Sequence, residues 1–323
     1  MTQENQVEQQ QKSEFKDEVP KEQSRVERGD TPFTFGQRVL KSDDDIWNHN
    51  AWDHAEWDEE QQVEAEAKIE KQKETPVKDF DKNLYMTQPA KYWDQFYRNN
   101  KANFFKDRKW LRVEFPALYD ATLPDAGPRR ILEVGCGAGN TLFPVLQANQ
   151  NPDLRITGVD FSKQAVEIVR TAEQFDPKFA EAHVWDLAEP TGALPPNIEP
   201  HSVDIIVMIF VFSALAPDQW KQAVANLERL LKPGGKILFR DYGRYDLTQL
   251  RFKGGRLLDE NFYIRGDGTR VYFFTEQELE EIFGTVFTVN KVATDRRLMV
   301  NRQRRIKMFR IWLQASFEKP LEQ

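Results

Sequence analysis

The chain has 323 residues, 40% of them hydrophobic, and a formal net charge of −7. That length suits one domain of about 200–250 residues with extra segments, and no run of about 18 apolar residues offers a membrane span. A single cysteine, Cys136, excludes an internal disulfide and fits a reducing compartment, the cytoplasm first and the nucleus as well.

The charge is uneven along the chain. The first 80 residues carry −10, so the remainder carries +3. Residues 1–32 are rich in Gln, Glu and Lys, with almost no aromatics and no apolar signal core; a disordered polar tail is expected there. Residues 33–80 read as an arm followed by a charged helix. Trp47, Trp52 and Trp57 recur every five residues among acids. Aromatic surface of that size has to be buried, so the arm should be ordered, docked on the body or on the substrate. Residues 59–74 suit a solvated helix, ended by Thr75-Pro76. Residues 81–125 form a helical segment, amphipathic around Tyr92-Trp93-Asp94-Gln95-Phe96-Tyr97. No internal repeat is present.

The remaining domain, 126–317, opens with the apolar run Ile131-Leu132-Glu133-Val134. Gly135, Gly137 and Gly139 follow at alternate positions, and a helical pattern starts at Asn140. That is strand, glycine turn, helix. The spacing is G-x-G-x-G rather than the G-x-G-x-x-G of nicotinamide enzymes. Glu133, two residues before the first glycine, suits a ligand with a cationic amino group and no pyrophosphate, such as S-adenosylmethionine. Ile156–Asp160 reads as a second strand, its acid about 20 residues past the glycines, where ribose hydroxyls need an acceptor. His183-Val184-Trp185-Asp186-Leu187 reads as a third strand ending in an acid suited to an adenine amino group. Residues 202–210 give a buried fourth strand, and Lys236–Asp241 a fifth. Ligands bind at the carboxyl ends of such strands, and the candidates fall there. The expected fold is α/β: a class I, Rossmann-like methyltransferase with a mostly parallel seven-stranded sheet and helices on both faces. An N-terminal extension and a β-hairpin insertion complete it.

The insertion spans 254–274, where Gly266-Asp267-Gly268 separates two aromatic runs. Thr275–Glu278 is a capping box opening a helix. Phe287–Val292 and Lys307–Ala315 read as closing antiparallel strands. No metal site is expected, because His49, His54, His183 and His201 lack cysteine partners and ligand spacing. Cys136 suits a tight turn better than a nucleophile. Two basic stretches, Arg98–Arg112 and the acid-free Arg296–Arg310, could bind single-stranded RNA through phosphates and stacked bases, or be solvated faces.

Several segments carry a resemblance: Asp45–Asp53, Pro89–Tyr97, Asn103–Arg108, Leu132–Gly137, Phe239–Gly243 and Phe262–Arg270. Over residues 33–317 the chain closely resembles the tRNA N3-methylcytidine methyltransferases, which modify cytidine 32 of the anticodon loop. The aspartate/tryptophan arm resembles the branch acting on threonine tRNAs, and the chain looks like the fungal members without an actin-binding extension. The resemblance implies S-adenosylmethionine as cofactor, held by Trp93, Tyr97, Gly135, Asp160, Asp186, Leu187 and Ile209. It implies tRNA as partner, and raises a helper such as the aminoacyl-tRNA synthetase partner of serine-type relatives.

For a cytosine target, Asp241 is a candidate for the amino group, or a structural partner of Arg240 or Arg244. Phe210 and Tyr242 could stack on the ring. Arg108, Lys109, Arg251, Arg265, Arg270, Arg296, Arg297, Arg304 and Arg305 are candidate RNA contacts. The alternatives are the same fold acting on another RNA, a protein or a small molecule, and a silent RNA-binding subunit. The basic, aromatic hairpin is excessive for a small substrate, and the intact Gly135, Asp160 and Asp186 speak against silence.

Overall fold

The computed structural model describes residues 33–41, 45–102, 107–108 and 110–321. The expected tail, 1–32, and the candidate Lys109 lie outside the described residues.

Among the described residues the α-helices before the main sheet's core are α1 (Glu59–Lys73), α2 (Asp79–Thr87), α3 (Pro89–Asn100), α4 (Leu111–Glu114) and α5 (Pro116–Asp120). The short strand β1 (Ala51–Trp52) lies before them. The core strands are β2 (Arg129–Val134), β3 (Leu154–Asp160), β4 (Ala180–Val184), β5 (Val203–Ile209) and β6 (Leu231–Tyr242). Helices α6 (Leu142–Gln147), α7 (Lys163–Arg170) and α8 (Trp220–Leu230) alternate with them. After β6 come α9 (Leu247–Leu250) and the strands β7 (Leu257–Asp259), β8 (Phe262–Ile264) and β9 (Arg270–Tyr272). The chain closes with α10 (Glu276–Phe283), β10 (Thr288–Asn301) and β11 (Ile306–Glu318).

The main sheet runs β1-β10-β11-β6-β5-β2-β3-β4. β2, β3, β4, β5 and β6 are parallel; β11 and β10 run antiparallel at one side. Parallel strands are covered on both faces and therefore read as near-continuous apolar runs; in β5 all but one residue of Val203–Ile209 are buried. Val134 lies level with Val159 on one side and Met208 on the other. The loops after β2, β3 and β5 therefore leave the sheet side by side. β2 and β5 are neighbours from which the chain proceeds in opposite directions, the switch point at which such sheets bind ligands.

Three differences from the sequence reading have physical causes. The third strand ends at Val184, not Leu187, because the Asp186 carboxylate accepts the Ala188 N–H at 2.9 Å and opens a turn. The closing strands are much longer than expected, so the stretch Arg296–Arg310 is a β-hairpin that outruns the sheet. Its length is sustained by an eighth strand: Ala51 and Trp52 pair with Met299 and Leu298, covering an edge that would otherwise stay unpaired.

That pairing docks the arm on the body. Trp52 is 3% exposed, packs with Leu298 and Val300, and donates its indole N–H to the Ile46 carbonyl at 2.8 Å. The Trp57 ring stacks on Tyr245 and meets Phe309 edge-on. Helix α1 is largely solvated and capped by Asp58, which accepts the Gln61 N–H. Near its end Gln72 is buried; it donates to the carbonyls of Gln249 and Phe252 and accepts the Tyr263 hydroxyl. Among the described residues no helix is long and apolar enough to cross a membrane.

Candidate active site

A cleft opens at the switch point, where sheets of this kind bind their ligands. Its lining includes Gly135 after β2, Asp160 at the end of β3, Asp186 and Leu187 after β4, Phe210 after β5, and Trp93 and Tyr97 from α3. A larger hollow on the other side of Tyr97, bounded by Arg98 and Lys101, contains neither Asp160 nor Asp186.

The glycine loop has steric reasons for its composition. Gly135 has φ +67°, and a Cβ there would lie 2.4 Å from Val211 Cγ2. Gly137 has φ +52°, and a Cβ there would lie 2.5 Å from the Tyr97 hydroxyl. Neither conformation nor space suits a side chain. Gly139 packs on Phe143 in α6, behind the cleft.

Asp160 is 7% exposed. Its Oδ1 accepts the Ser162 N–H at 2.9 Å and its Oδ2 the Gly137 N–H at 3.0 Å. Each carboxylate oxygen has a second lone pair, which leaves acceptor capacity for a ligand. Burial pushes this carboxyl up to about 6, against the pull of those two N–H groups. Asp186 is half-buried, and its Oδ1 accepts the Ala188 N–H. Trp93 and Tyr97 are offset-stacked, centroids 6.0 Å apart. Ile209, at the end of β5, is buried just behind Phe210.

Glu133 does not face this cleft. It is 2% exposed, and its Oε2 accepts the Leu142 N–H at 2.9 Å, satisfying an otherwise orphaned donor at the start of α6. Burial pushes it up to about 7, opposed by Arg108 and by a Thr141 hydrogen bond. Arg108, expected on RNA, is turned inward: it donates to the Thr141 hydroxyl at 2.7 Å and lies 3.8 Å from Glu133. A buried carboxylate needs that partner more than a surface needs the charge.

Beyond the cleft, Phe210 and Tyr242 leave adjacent strands and meet at 4.9 Å, tilted by 45°. Phe210 has φ +59°, a left-handed conformation that is rare for a bulky residue. It is held by donation of its N–H to the Arg240 carbonyl at 2.8 Å. The Arg265 guanidinium lies over Tyr242, 5.3 Å from the ring centre.

Asp241 is fully buried, which corrects the expectation of a direct substrate contact. Its Oδ1 accepts the Tyr242 N–H and its Oδ2 the Ser213 N–H, with the Ser213 hydroxyl also donating. Burial pushes it up to about 6. It is also not the partner of Arg240, which bonds Asp295 and Gln314, nor of Arg244, which forks onto Glu278.

The expected RNA contacts divide. Arg251, Arg304 and Arg305 are exposed, the last two at the β10–β11 tip beside exposed Arg302 and Lys307; Arg305 lies over Trp47. Arg265 is half-buried. Arg270 is 3% exposed and donates to the Ala214 carbonyl and Gln219, so it supports the turn after β5 and is closed to phosphate. Arg297 pairs with Asp295 and Asp53, and Arg296 lies over Trp57; both hold the arm. Sequence reasoning missed Asp94 and Ser213, whose partners are far away in the chain and leave no local signal, and Ser162, whose N-cap position before Lys163–Arg170 is the signal that could have found it. Among the described residues no group of acids, histidines and cysteines could hold a metal ion.

Comparison with known proteins bears on this arrangement. Residues 132–237 match the family described as a methyltransferase domain. The chain is 61% identical over 300 residues to tRNA(Thr) (cytosine(32)-N(3))-methyltransferase of Saccharomyces cerevisiae, covering 93% of this chain and 48% of that protein. It is 54% identical over 286 residues to a tRNA N(3)-methylcytidine methyltransferase of Schizosaccharomyces pombe, covering 88% of this chain and 92% of that one. The chain thus spans about half of the first relative and nearly all of the second. Among solved structures, a SAM-dependent methyltransferase from Anabaena variabilis shares the fold, with TM-score 0.52 and 18% identity over 76% of this chain and 97% of that one.

Proposed function

The chain belongs to the tRNA N3-methylcytidine methyltransferase family, and from that premise we propose that it methylates the ring nitrogen N3 of cytidine 32 in threonine tRNAs, using S-adenosylmethionine. The observation that carries this reading is the adjacency of two half-sites. An acid-lined cleft ends against the Phe210–Tyr242 aromatic pair, at the carboxyl ends of β5 and β6.

The cleft fits the cofactor. Asp160 keeps spare lone pairs for ribose hydroxyls, and Asp186 offers an acceptor for the adenine amino group. Leu187, Trp93 and Tyr97 supply apolar walls. When bound, S-adenosylmethionine supplies an electrophilic methyl carried on a sulfonium sulfur. Cytosine N3 already presents a lone pair, so no residue need act as a general base. The chain's task is to align the two reactants and to favour a base that becomes cationic. The faces of Phe210 and Tyr242 attract cations and can grip a flat ring. Asp241 braces both: it joins the Ser213 turn, which follows Phe210, to Tyr242. A base in the anticodon loop has to be splayed from its stack to reach this pair. Arg251, Arg304 and Arg305, exposed around the same end, suit the flanking phosphates.

Nucleoside mass spectrometry of threonine and serine tRNAs, from cells with and without the protein, tests the reading. Loss of N3-methylcytidine from threonine tRNAs is expected; unchanged levels there would refute it.

A further inference from the structure

Helix α3 forms one wall of the cleft through Trp93 and Tyr97. Its packing on α7 is apolar: Phe96, Tyr97 and Ala165, with Trp93 and Ile168 beside them. Apolar contact is non-directional; it presses two helices together without fixing how far one is slid along the other. A polar group, Asp94, supplies that register. Asp94 Oδ1 accepts the Ser162 hydroxyl at 2.7 Å and the Gln164 N–H at 3.2 Å. Ser162 is itself a junction: its hydroxyl accepts the Ala165 N–H, capping α7, and its own N–H goes to Asp160 Oδ1. Asp94 follows Trp93 directly and lies three residues before Tyr97, one turn along the same helix side. The carboxylate therefore connects the aromatic wall of the cleft to the acid on its floor through one serine.

We propose that Asp94 is a positioning residue for cofactor binding: by fastening α3 to Ser162 and Gln164 it holds Trp93 and Tyr97 at the cleft before the cofactor arrives. The proposal rests on the reading of this cleft as the S-adenosylmethionine site. Without the latch, the cofactor must order α3 as it binds, and that ordering subtracts from affinity. Once bound, the wall is in place and the chemistry is unaltered.

The test compares wild type, Asp94→Ala, Asp94→Asn and Ser162→Ala by calorimetry with S-adenosylhomocysteine and by amide hydrogen exchange of the ligand-free proteins. Asp94→Ala should weaken binding at least about tenfold, the loss expected for hydrogen bonds to a charged acceptor. Its cofactor KM should rise in step, with kcat at saturating cofactor within about twofold of wild type, the signature of uniform binding removed. Asp94→Asn keeps a carbonyl oxygen for both donors and should restore affinity to within about threefold. In the ligand-free Asp94→Ala protein, α3 amides should exchange faster while those of β2 and β3 do not change. Adding Ser162→Ala to Asp94→Ala should weaken binding little further, because the two share one interaction. Wild-type affinity in Asp94→Ala, no rescue by Asp94→Asn, or unaltered α3 exchange would each overturn the proposal. If Asp94→Ala does not fold, Ser162→Ala decides alone, and wild-type affinity with wild-type α3 exchange overturns it. A wild-type protein that does not bind S-adenosylhomocysteine refutes the cofactor reading instead, and the exchange of α3, read without ligand, keeps the two failures apart.

Discussion

The Asp241 carboxylate accepts the Ser213 backbone N–H at 2.9 Å, and this bond joins the end of β6 to the turn after β5. Together with its Tyr242 N–H bond, it makes Asp241 the brace behind the Phe210–Tyr242 pair. Asp241→Asn retains one acceptor and presents an NH2 group to a donor. A buried N–H left without a partner costs roughly 1–3 kcal/mol. The variant should lose that much stability in urea titrations and lose methylation with it, at near-normal tRNA affinity. A fully stable variant with a slowed single turnover would instead put the carboxylate on the base.

Three buried carboxyls give the protein a pH signature. Burial holds Glu133 at about 7 and Asp160 and Asp241 at about 6, above the ordinary ~3.9–4.3. Each binds its proton more tightly folded than unfolded. Its stabilising contribution is therefore full below about pH 4 and is lost as pH rises toward about 7. In Glu133→Gln one such group is gone. Wild-type stability minus variant stability should fall across that window by up to about 1.4 kcal/mol per pH unit. Parallel pH profiles in urea unfolding would show that Glu133 does not titrate there.

The docked arm makes a separable prediction. Trp52 buries its ring against Leu298 and Val300, and truncating a buried Trp costs about 3–5 kcal/mol. The rest of the 45–57 segment is held mainly on the projecting β10–β11 hairpin, by β1, the Trp57 contacts, the Asp53–Arg297 pair, the Ala55 N–H bond to the Arg296 carbonyl and Arg305 over Trp47, rather than in the body's core. Trp52→Ala should therefore release the arm rather than unfold the body. Rapid proteolytic cleavage near residues 45–57 is expected, with near-normal S-adenosylhomocysteine affinity and impaired methylation. Wild-type resistance to protease would show that the rest of the arm suffices.

What the sequence discloses here follows from how local each cause is. The glycine loop and Asp160 are legible because an apolar run leading into glycines, or ending in an acid, is a contiguous pattern; Asp186 is legible from the same local segment although its strand stops two residues earlier. The Thr275–Glu278 capping box is legible for the same reason, and Thr275 does accept the Glu278 N–H. Arg108 and Arg270 read as phosphate contacts because their partners, Glu133 and Ala214, are distant in the chain, whereas Arg297 has a local partner in Asp295, just before the acid-free stretch, besides the distant Asp53. Asp94 is illegible because of distance too: Ser162 lies 68 positions away. β1 escapes notice because two residues carry no alternation to read.

The exposed hairpin tip separates RNA contact from structural charge. Arg304→Glu with Arg305→Glu should weaken tRNA binding and flatten its dependence on log salt by about 0.7 for each single-strand phosphate no longer neutralised. S-Adenosylhomocysteine affinity should not change. Arg270→Ala is the contrast: it strips two acceptors of their buried donor and should lower stability. Unaltered tRNA affinity and salt slope in the double variant would make the tip a solvated surface.

Phe210 offers the sharpest division between fold and function. Its φ of +59° places a bulky residue in a conformation that costs roughly 1–2 kcal/mol relative to ordinary backbone. Glycine adopts that conformation freely, but loses roughly 0.5–1 kcal/mol more backbone entropy on folding. Phe210→Gly also gives up the half-buried ring packing on Tyr242. These terms oppose one another, so the variant should match wild-type stability to within about 1 kcal/mol. Its function should not survive so well. The ring is one of two faces available to a splayed cytosine, and stacking on an aromatic side chain is worth about 1–3 kcal/mol per base. A single-turnover rate at least about tenfold lower is expected, corresponding to roughly 1.4 kcal/mol, with S-adenosylhomocysteine affinity close to normal. Tyr242→Phe keeps the second face and should stay near wild type, whereas Tyr242→Ala should resemble Phe210→Gly in rate. A melting curve run beside the rate assay separates a loss of stability from a loss of stacking. If Phe210→Gly methylates at the wild-type rate, the strained residue serves the strand end alone and the base is gripped elsewhere.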